Sequence, residues 1–468
     1  MSLKQSKTNI VNLYKNMFTD TVYIKKVFSI SLPVSLQMLL NMIVNFADTL
    51  MIGKLGETEI ASVGLANKIF FVFILLVFGI QSGTGILASQ YWGNNDVKNI
   101  RKVLGLGLIL SVSAGIIFTV AAFFIPERLM MIFTNSPNTV VIGGTYLSIV
   151  CISYIFTAAT NIYVSTMRAV GEVRIPLIVS ILTISINIAL NYILIFGKLN
   201  MPAFGVAGAA IATVIARIFE TILTVTLINL KKLSISCGIK ELVGFPSDLI
   251  SQFLKTALPV VINEFMWGVG TTLYSVAYGR MGDPAVAAIT IASTLQDLLI
   301  VSFQGISIAT VVILGNEMGA NNLKRAETYG SYSYAITILL SLFVAAALLI
   351  LKEPFASLYS ISPKVLTDVK LCLTVFSIFL PFRAVGLVNI VGILRSGGDT
   401  LVCLFLDTSS VWLIGVPMAF LGGLYFKYPI YIVYAMIMLE EIYKTVVGYI
   451  RYRQKKWLKN LAIELTGK

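Results

Sequence analysis

Leu32-Pro33-Val34 and, 226 residues later, Leu258-Pro259-Val260 open two stretches that run in register without a gap. Gly53 falls on Gly279, Gly56 on Gly282, Ala61 on Ala287 and Ala66 on Ala292. Further on, Gly79 falls on Gly305, Thr84 on Thr310, Gly93 on Gly319, Asn95 on Asn321 and Lys98 on Lys324. Each copy has a long apolar run, a short polar break, a second apolar run and a Gly/Asn-rich basic loop. A chain made of two similar apolar halves predicts a cleft between them near mid-membrane, which is the layout of a transporter.

Composition points the same way. The chain is 57% hydrophobic and 12% charged, against about 25% charged in soluble domains. Lipid is therefore the expected solvent. Spans of about 20 residues and short loops divide 468 residues into roughly twelve helices. The spans are expected at 27–52, 63–89, 103–125, 140–167, 175–196, 206–230, 253–279, 287–314, 329–351, 365–394, 400–424 and 429–449. The expected fold is an all-α integral membrane protein of twelve transmembrane helices, in two six-helix lobes related by a pseudo-twofold axis. Residues 1–26 form an N-terminal segment, 27–230 the first lobe, 231–251 a linker, 252–450 the second lobe and 451–468 a basic tail.

The net charge of +13 does not predict nucleic-acid binding, because the basic residues fall in alternate loops. Lys25/Lys26, Lys98/Arg101/Lys102, Arg168/Arg174, Lys231/Lys232/Lys240, Lys324/Arg325 and the tail from Arg451 to Lys459 share one side. The positive-inside rule makes that side, and both termini, cytoplasmic. No cleaved signal peptide is expected, since the first apolar run follows a long polar lead. Cys151, Cys237, Cys372 and Cys403 are scattered and form no C-x-x-C pair. There is no histidine, which removes His–metal sites and Ser-His-Asp chemistry. No nucleophile–base pair or phosphate loop is visible, so an enzyme is not expected, nor any cofactor.

A charged side chain inside a span costs at least about 2.5 kcal/mol and needs a reason. Asp48 has one. Gln37, Asn41, Asn45 and Asp48 recur at 4, 4 and 3 residues, on one helix face. Thr183, Asn187 and Asn191 form a second stripe at i, i+4 and i+8. Together they supply hard oxygen ligands for a small cation, or hydrogen bonds to a carboxyl that takes a proton. Glu264 lies deep in the seventh span and Asp297 and Arg383 in the eighth and tenth. These three form an expected polar cluster of the second lobe, with Arg383 as counter-ion to Glu264 or Asp297. Arg217 with Glu220, and Glu440/Glu441 with Lys444, are spaced to pair locally. Asp407 is expected to face water. In the repeat Asp48 falls on Tyr274 and Glu264 on Met38, so the scaffold is duplicated and the acids are not. Phe70, Phe71, Phe73, Met266 and Tyr278 read mainly as core or lipid-facing. Gln37, Asn41, Asn45, Trp267 and Tyr274 are the candidates for a substrate cleft, where aromatic faces and a carboxylate suit a lipophilic cation.

Several local patterns carry a resemblance. They are Phe46-Ala-Asp-Thr-Leu-Met-Ile-Gly53, Met167-Arg-Ala-Val-Gly-Glu-Val-Arg-Ile-Pro176 and Ile186-Asn-Ile-Ala-Leu-Asn-Tyr-Ile-Leu-Ile-Phe-Gly197. Gly205-Val-Ala-Gly-Ala-Ala-Ile-Ala-Thr213, Leu394-Arg-Ser-Gly-Gly-Asp-Thr400 and the tail Arg451-Tyr-Arg-Gln-Lys-Lys-Trp-Leu follow in order. Taken together, the chain resembles the multidrug and toxic compound extrusion (MATE) family of cation-coupled antiporters, NorM/DinF-like, over nearly its whole length. The resemblance implies a plasma-membrane exporter of cationic or amphiphilic drugs by alternating access, working as a monomer, with Na+ or H+ as coupling ion. It places Asp48, Asn187, Asn191 and Thr213 at the cation site of the first lobe, the one place where a metal ion, Na+, is implied. Glu264 takes the acidic position of the second lobe in NorM-type members. There the sequence departs, with Phe382-Arg-Ala384 where the tenth span of that branch carries an aspartate. The alternative implied is a lipid-linked sugar flippase of the same superfamily. In either case the two Arg-x-x-Gly-[Glu/Asp] loops read as topology signals, with arginine at the head groups and glycine in the turn.

Overall fold

The structure is a computed structural model that describes residues 3–359 and 361–464. The first two residues of the N-terminal segment, Ser360 and the last four residues of the basic tail lie outside the described residues. Among the described residues the chain is helical throughout, as a membrane-spanning chain must be if its backbone polar groups are to find partners within each segment. In chain order the helices are α1 (Leu3–Thr19), α2 (Thr21–Gly53), α3 (Glu57–Gly93), α4 (Val97–Phe124), α5 (Pro126–Met131), α6 (Pro137–Val150), α7 (Ile152–Ala169), α8 (Arg174–Phe196) and α9 (Gly205–Leu230). The second half continues with α10 (Ser247–Arg280), α11 (Asp283–Gly319), α12 (Leu323–Ala356) and α13 (Pro363–Leu387), the last running on through a π turn to Leu394. Then come α14 (Thr400–Ser410), α15 (Val416–Phe420), α16 (Ile430–Arg453) and α17 (Leu461–Glu464), with π turns on either side of α15.

Among the described residues nine helices or helix runs are long and apolar enough to span a bilayer, and α6 with α7 makes a tenth, bent by 47° at Cys151. The two remaining expected spans, α10 and α16, are 34 and 24 residues long. α16 carries Glu440, Glu441 and Lys444, so apolarity alone does not mark it. The chain is an all-helical integral membrane protein.

Two compact units divide it. One is Leu36–Val261, here the first lobe; the other joins Met1–Ser35 to Ile262–Lys468, here the second lobe. The first 35 residues therefore fold with the second half of the chain, and residues up to 261 with the first. Both crossings fall two residues beyond the proline of the repeated Leu-Pro-Val, inside α2 at Pro33 and inside α10 at Pro259. Proline removes one helical hydrogen bond at each place.

Repeated glycines hold the exchanged ends. In the first lobe, a methyl group on Gly79 would lie 2.7 Å from the Val261 backbone. In the second lobe, a methyl on its repeat partner Gly305 would lie 2.7 Å from the Ser31 carbonyl. Without a strong hydrophobic drive between helices in lipid, such close approach supplies much of the packing energy. Tyr23 reinforces the second lobe by sharing a 3.0 Å hydrogen bond with Ser333. The first lobe's core centres on Phe73 and Tyr154, stacked with centroids 5.0 Å apart, among Leu147, Ala158 and Ala210. The loop asparagines that repeat, Asn95 and Asn321, both take the left-handed conformation at φ 58° and 61°, which asparagine tolerates better than most residues. Asp96 then caps α4 by accepting from the Asn99 amide.

Candidate functional site

In the first lobe α2, α3, α6, α7, α8 and α9 line a pocket of about 690 Å³. Asn41, Asn45, Asp48, Thr183, Asn187 and Thr213 all reach its wall. Helical spacing explains the convergence: α2 presents one polar stripe, α8 another, and the small residues of α9 (Gly208, Ala209, Ala212) let it pack close to α8. A methyl on Gly208 would sit 2.5 Å from the Leu194 carbonyl.

Asp48 Oδ1 accepts a 2.6 Å hydrogen bond from Asn191 Nδ2, which also donates to Asn187 Oδ1 at 3.2 Å. Asn187 and Asn191 are buried. The Asn191 Oδ1 and Thr183 Oγ1 atoms are buried without a hydrogen-bond partner. The Thr213 hydroxyl donates to the Ala209 carbonyl. No cation of the chain lies within ion-pair distance of Asp48 among the described residues. The site thus offers one carboxylate and several neutral oxygens, two of them unpaired, which is a donor set for a small hard cation. Among the described residues no group of three or more His, Cys, Asp or Glu gathers as a metal cluster.

Arg217 and Glu220 form the expected local pair at 2.7 Å, and they also line this pocket. Their position beside Asp48 is a structural addition to the sequence reading. Two carboxylates and one guanidinium line the pocket, so the ionised wall carries one negative charge.

The second lobe treats its acids differently. Glu264 lies 3.1 Å from Arg395 Nη2 and pairs with it, not with Arg383. Arg383 instead holds its guanidinium 5.7 Å from the centre of the Phe376 ring, and Asp297 is exposed without an ion-pair partner among the described residues. The expected cluster of Glu264, Asp297 and Arg383 is therefore not one contact group. Asp407, expected to face water, is only 16% exposed and bonds Lys444 at 3.1 Å and Asn263 at 3.0 Å. Lys444 also reaches Glu440 at 3.5 Å and Glu441 at 3.8 Å. Tyr274 is buried and donates a 2.6 Å hydrogen bond to Glu440.

The loop arginines also differ from expectation. Arg168 and Arg395 are 8% and 2% exposed, so they point into their lobes and not to head groups. Arg168 donates to Gln37 Oε1 at 2.6 Å, as Arg395 does to Glu264. Gly171 and Gly398, at φ 85° and 76°, make the turns that aim them inward. Gln37 is tied between Arg168 and Ser180 (2.7 Å). Of the five cleft candidates, Asn41 and Asn45 line the pocket. Gln37 and Tyr274 are engaged in bonds, and Trp267 is 37% exposed. A signal for Arg395 was present in the sequence: Gln37 and Glu264, like Arg168 and Arg395, stand 227 residues apart, one residue off the main register.

The MatE family model matches residues 33–193 and again 259–421, two stretches that begin on the repeated prolines. The chain belongs to the MatE family. Among curated relatives of this MATE chain, a probable multidrug resistance protein NorM of Thermotoga maritima is 24% identical over 443 residues, 94% of each chain. An uncharacterized transporter, YisQ of Bacillus subtilis strain 168, is 22% identical and covers 92% of this chain and 94% of its own. A crystal structure of MATE in a bent conformation matches with a TM-score of 0.85 at 21% identity, covering 95% of this chain and 97% of its own. A MOP superfamily transporter from Pyrococcus furiosus matches at 0.84 and 22%, covering 93% and 96%. These structural likenesses establish the shared fold. The MATE chain described here is thus a membrane transporter by family.

Proposed function

We propose that this MATE protein exports small organic cations or amphiphilic drugs across the plasma membrane in exchange for Na+ or H+. The observation that carries the reading is Asp48: a carboxylate with no cationic partner, in a pocket of about 690 Å³ whose ionised wall carries one negative charge. One inorganic cation or one proton neutralises that wall, and so does one organic cation. The two compete for one charge, which is sufficient for exchange. An incoming ion held by Asp48, Asn187 and Asn191, with Thr183 and Thr213 beside them, favours the state that has released its cargo. Alternating access moves the site from one membrane face to the other. The relatives named multidrug resistance protein fit this cargo class. The clustering of basic residues in alternate loops supports cytoplasmic termini, and all the pocket-lining residues belong to one lobe, which suits a monomer.

Lipid-linked sugar transport would draw on a cationic cavity for its diphosphate. The negative wall of the pocket argues for the antiporter. Dye efflux from proteoliposomes, with a sodium gradient and a pH gradient imposed separately, tests the proposal and names the ion. Efflux driven by one gradient and lost in Asp48→Asn is the expected result. Efflux indifferent to both gradients, or retained in the variant, overturns it.

A further inference from the structure

A second cavity, of about 950 Å³, lies within the second lobe at the end that carries the C-terminal tail. Its walls are aromatic: Tyr14 of α1, Tyr334 of α12, Phe382 of α13, Tyr449 and Tyr452 of α16, and Trp457 beyond it. Tyr334 meets Tyr449 edge to face at 5.8 Å and Tyr452 at 4.7 Å. The tail that completes this wall is folded into the lobe. Trp457 is fully buried, stacks on Tyr452 at 5.7 Å and donates to its carbonyl at 3.2 Å. Gly397 touches the Trp457 backbone so closely that no side chain would fit there.

Two observations point to a ligand. The first is the Tyr334 hydroxyl. Tyr334 is 8% exposed, lines the cavity, and its hydroxyl has no hydrogen-bond partner. The neighbouring hydroxyls are used, Tyr452 by Ser331 at 2.8 Å and Thr445 by the Phe382 carbonyl at 2.7 Å. A buried phenol without a partner costs about 1–3 kcal/mol unless something accepts from it. The second is the charged rim. Lys455 is paired with Glu327 at 2.5 Å, which leaves Arg453 exposed and without a carboxylate among the described residues. The lining charges are therefore Glu327, Lys455 and Arg453, one positive charge in excess.

We propose that this cavity binds one anionic phospholipid of the adjacent leaflet. The acyl chain occupies the aromatic cavity, the phosphate pairs with Arg453, and the Tyr334 hydroxyl donates to an ester or glycerol oxygen. Arginine matches a phosphodiester in shape as well as charge, and basic pockets between helix ends are where anionic head groups dock. The excess positive charge disfavours a cationic drug here, so this is a lipid site separate from the pocket of Asp48. The proposal needs only that the chain sits in a membrane. It stands or falls independently of the transport reading.

Native mass spectrometry of the full chain, released from micelles doped with equal phosphatidylglycerol and phosphatidylcholine, tests it. Wild type is expected to keep one phosphatidylglycerol about tenfold over phosphatidylcholine, a preference of about 1.4 kcal/mol. Arg453→Gln should abolish that preference. Tyr334→Phe should lower total retention several-fold while leaving the preference for the anionic head group. Lys427→Gln, on a loop outside the cavity, is the charge control and should behave as wild type. Equal retention of the two lipids by wild type, or undiminished preference in Arg453→Gln, overturns the proposal. So does retention of tetraphenylphosphonium in place of phosphatidylglycerol, which would make the cavity a cargo site.

Discussion

The two lobes share a scaffold and oppose each other in how they keep their acids. In the first lobe Asp48 is met by an amide, and the nearest basic residue on the wall, Arg217, is already bonded to Glu220. In the second lobe Glu264 is held by Arg395, and Asp407, Glu440 and Glu441 all lie within 4 Å of Lys444. The first lobe holds a carboxylate with no cation of the chain at ion-pair distance among the described residues, while the second meets Glu264, Asp407, Glu440 and Glu441 with cations of its own. On the proposed function, exchange chemistry falls to the first lobe and a structural role to these four paired acids of the second.

The sharpest way to break this comparison is Asp48→Asn. Gradient-driven dye efflux in proteoliposomes should fall to the protein-free background, with normal expression and a normal gel-filtration profile. The next is Lys444→Met. Removing the one cation among three carboxylates leaves uncompensated buried charge, at a cost of about 3–5 kcal/mol, seen as a lowered Tm in detergent. Adding Asp407→Asn to that variant should recover part of the loss. A third compares the two buried loop arginines. Arg395→Met strands the Glu264 carboxylate, whereas Arg168→Met strands only the Gln37 amide. The first should lower Tm more, by the equivalent of about 2 kcal/mol, since a stranded charge costs more than a stranded amide. Equal losses would mean that the lobes do not differ as described. The smallest effect is expected from Asn191→Ala, which removes one hydrogen bond to a charged group, at the low end of such bonds, about 1.5 kcal/mol. It should raise the half-saturating concentration of the coupling ion roughly tenfold or more while efflux persists at high ion concentration.

Much of this was legible in the sequence because it depends on periodicity. The stripe of Asn41, Asn45 and Asp48 and the stripe of Asn187 and Asn191 follow from 3.6 residues per turn; the pocket is lined by the first stripe and by Asn187, and Asn191 bonds Asp48. Arg217–Glu220 and Glu440–Lys444 lie within a turn of helix, and both pairs form. What spacing could not supply were partners far apart in sequence. Arg395 lies 131 residues from Glu264 and Lys444 37 residues from Asp407. Arg383 was a reasonable partner by span order, but its guanidinium is on Phe376. The loop arginines looked like head-group anchors because they flank apolar spans. The left-handed glycines Gly171 and Gly398 turn them inward.

The exchange of helix ends between lobes has the same origin. The repeat marks Pro33 and Pro259, but nothing in a linear pattern says that residues before Ser35 fold with the far half of the chain.

By itself the sequence determined the solvent, the helical class, the duplication and the two polar stripes, since each of these follows from composition or from a period along one helix. Only the tertiary structure decided which charges within the spans meet an opposite charge and which, Asp48 among them, do not. Ion pairing depends on distance in space, and in lipid a charge takes whichever partner the packing of helices brings within about 4 Å.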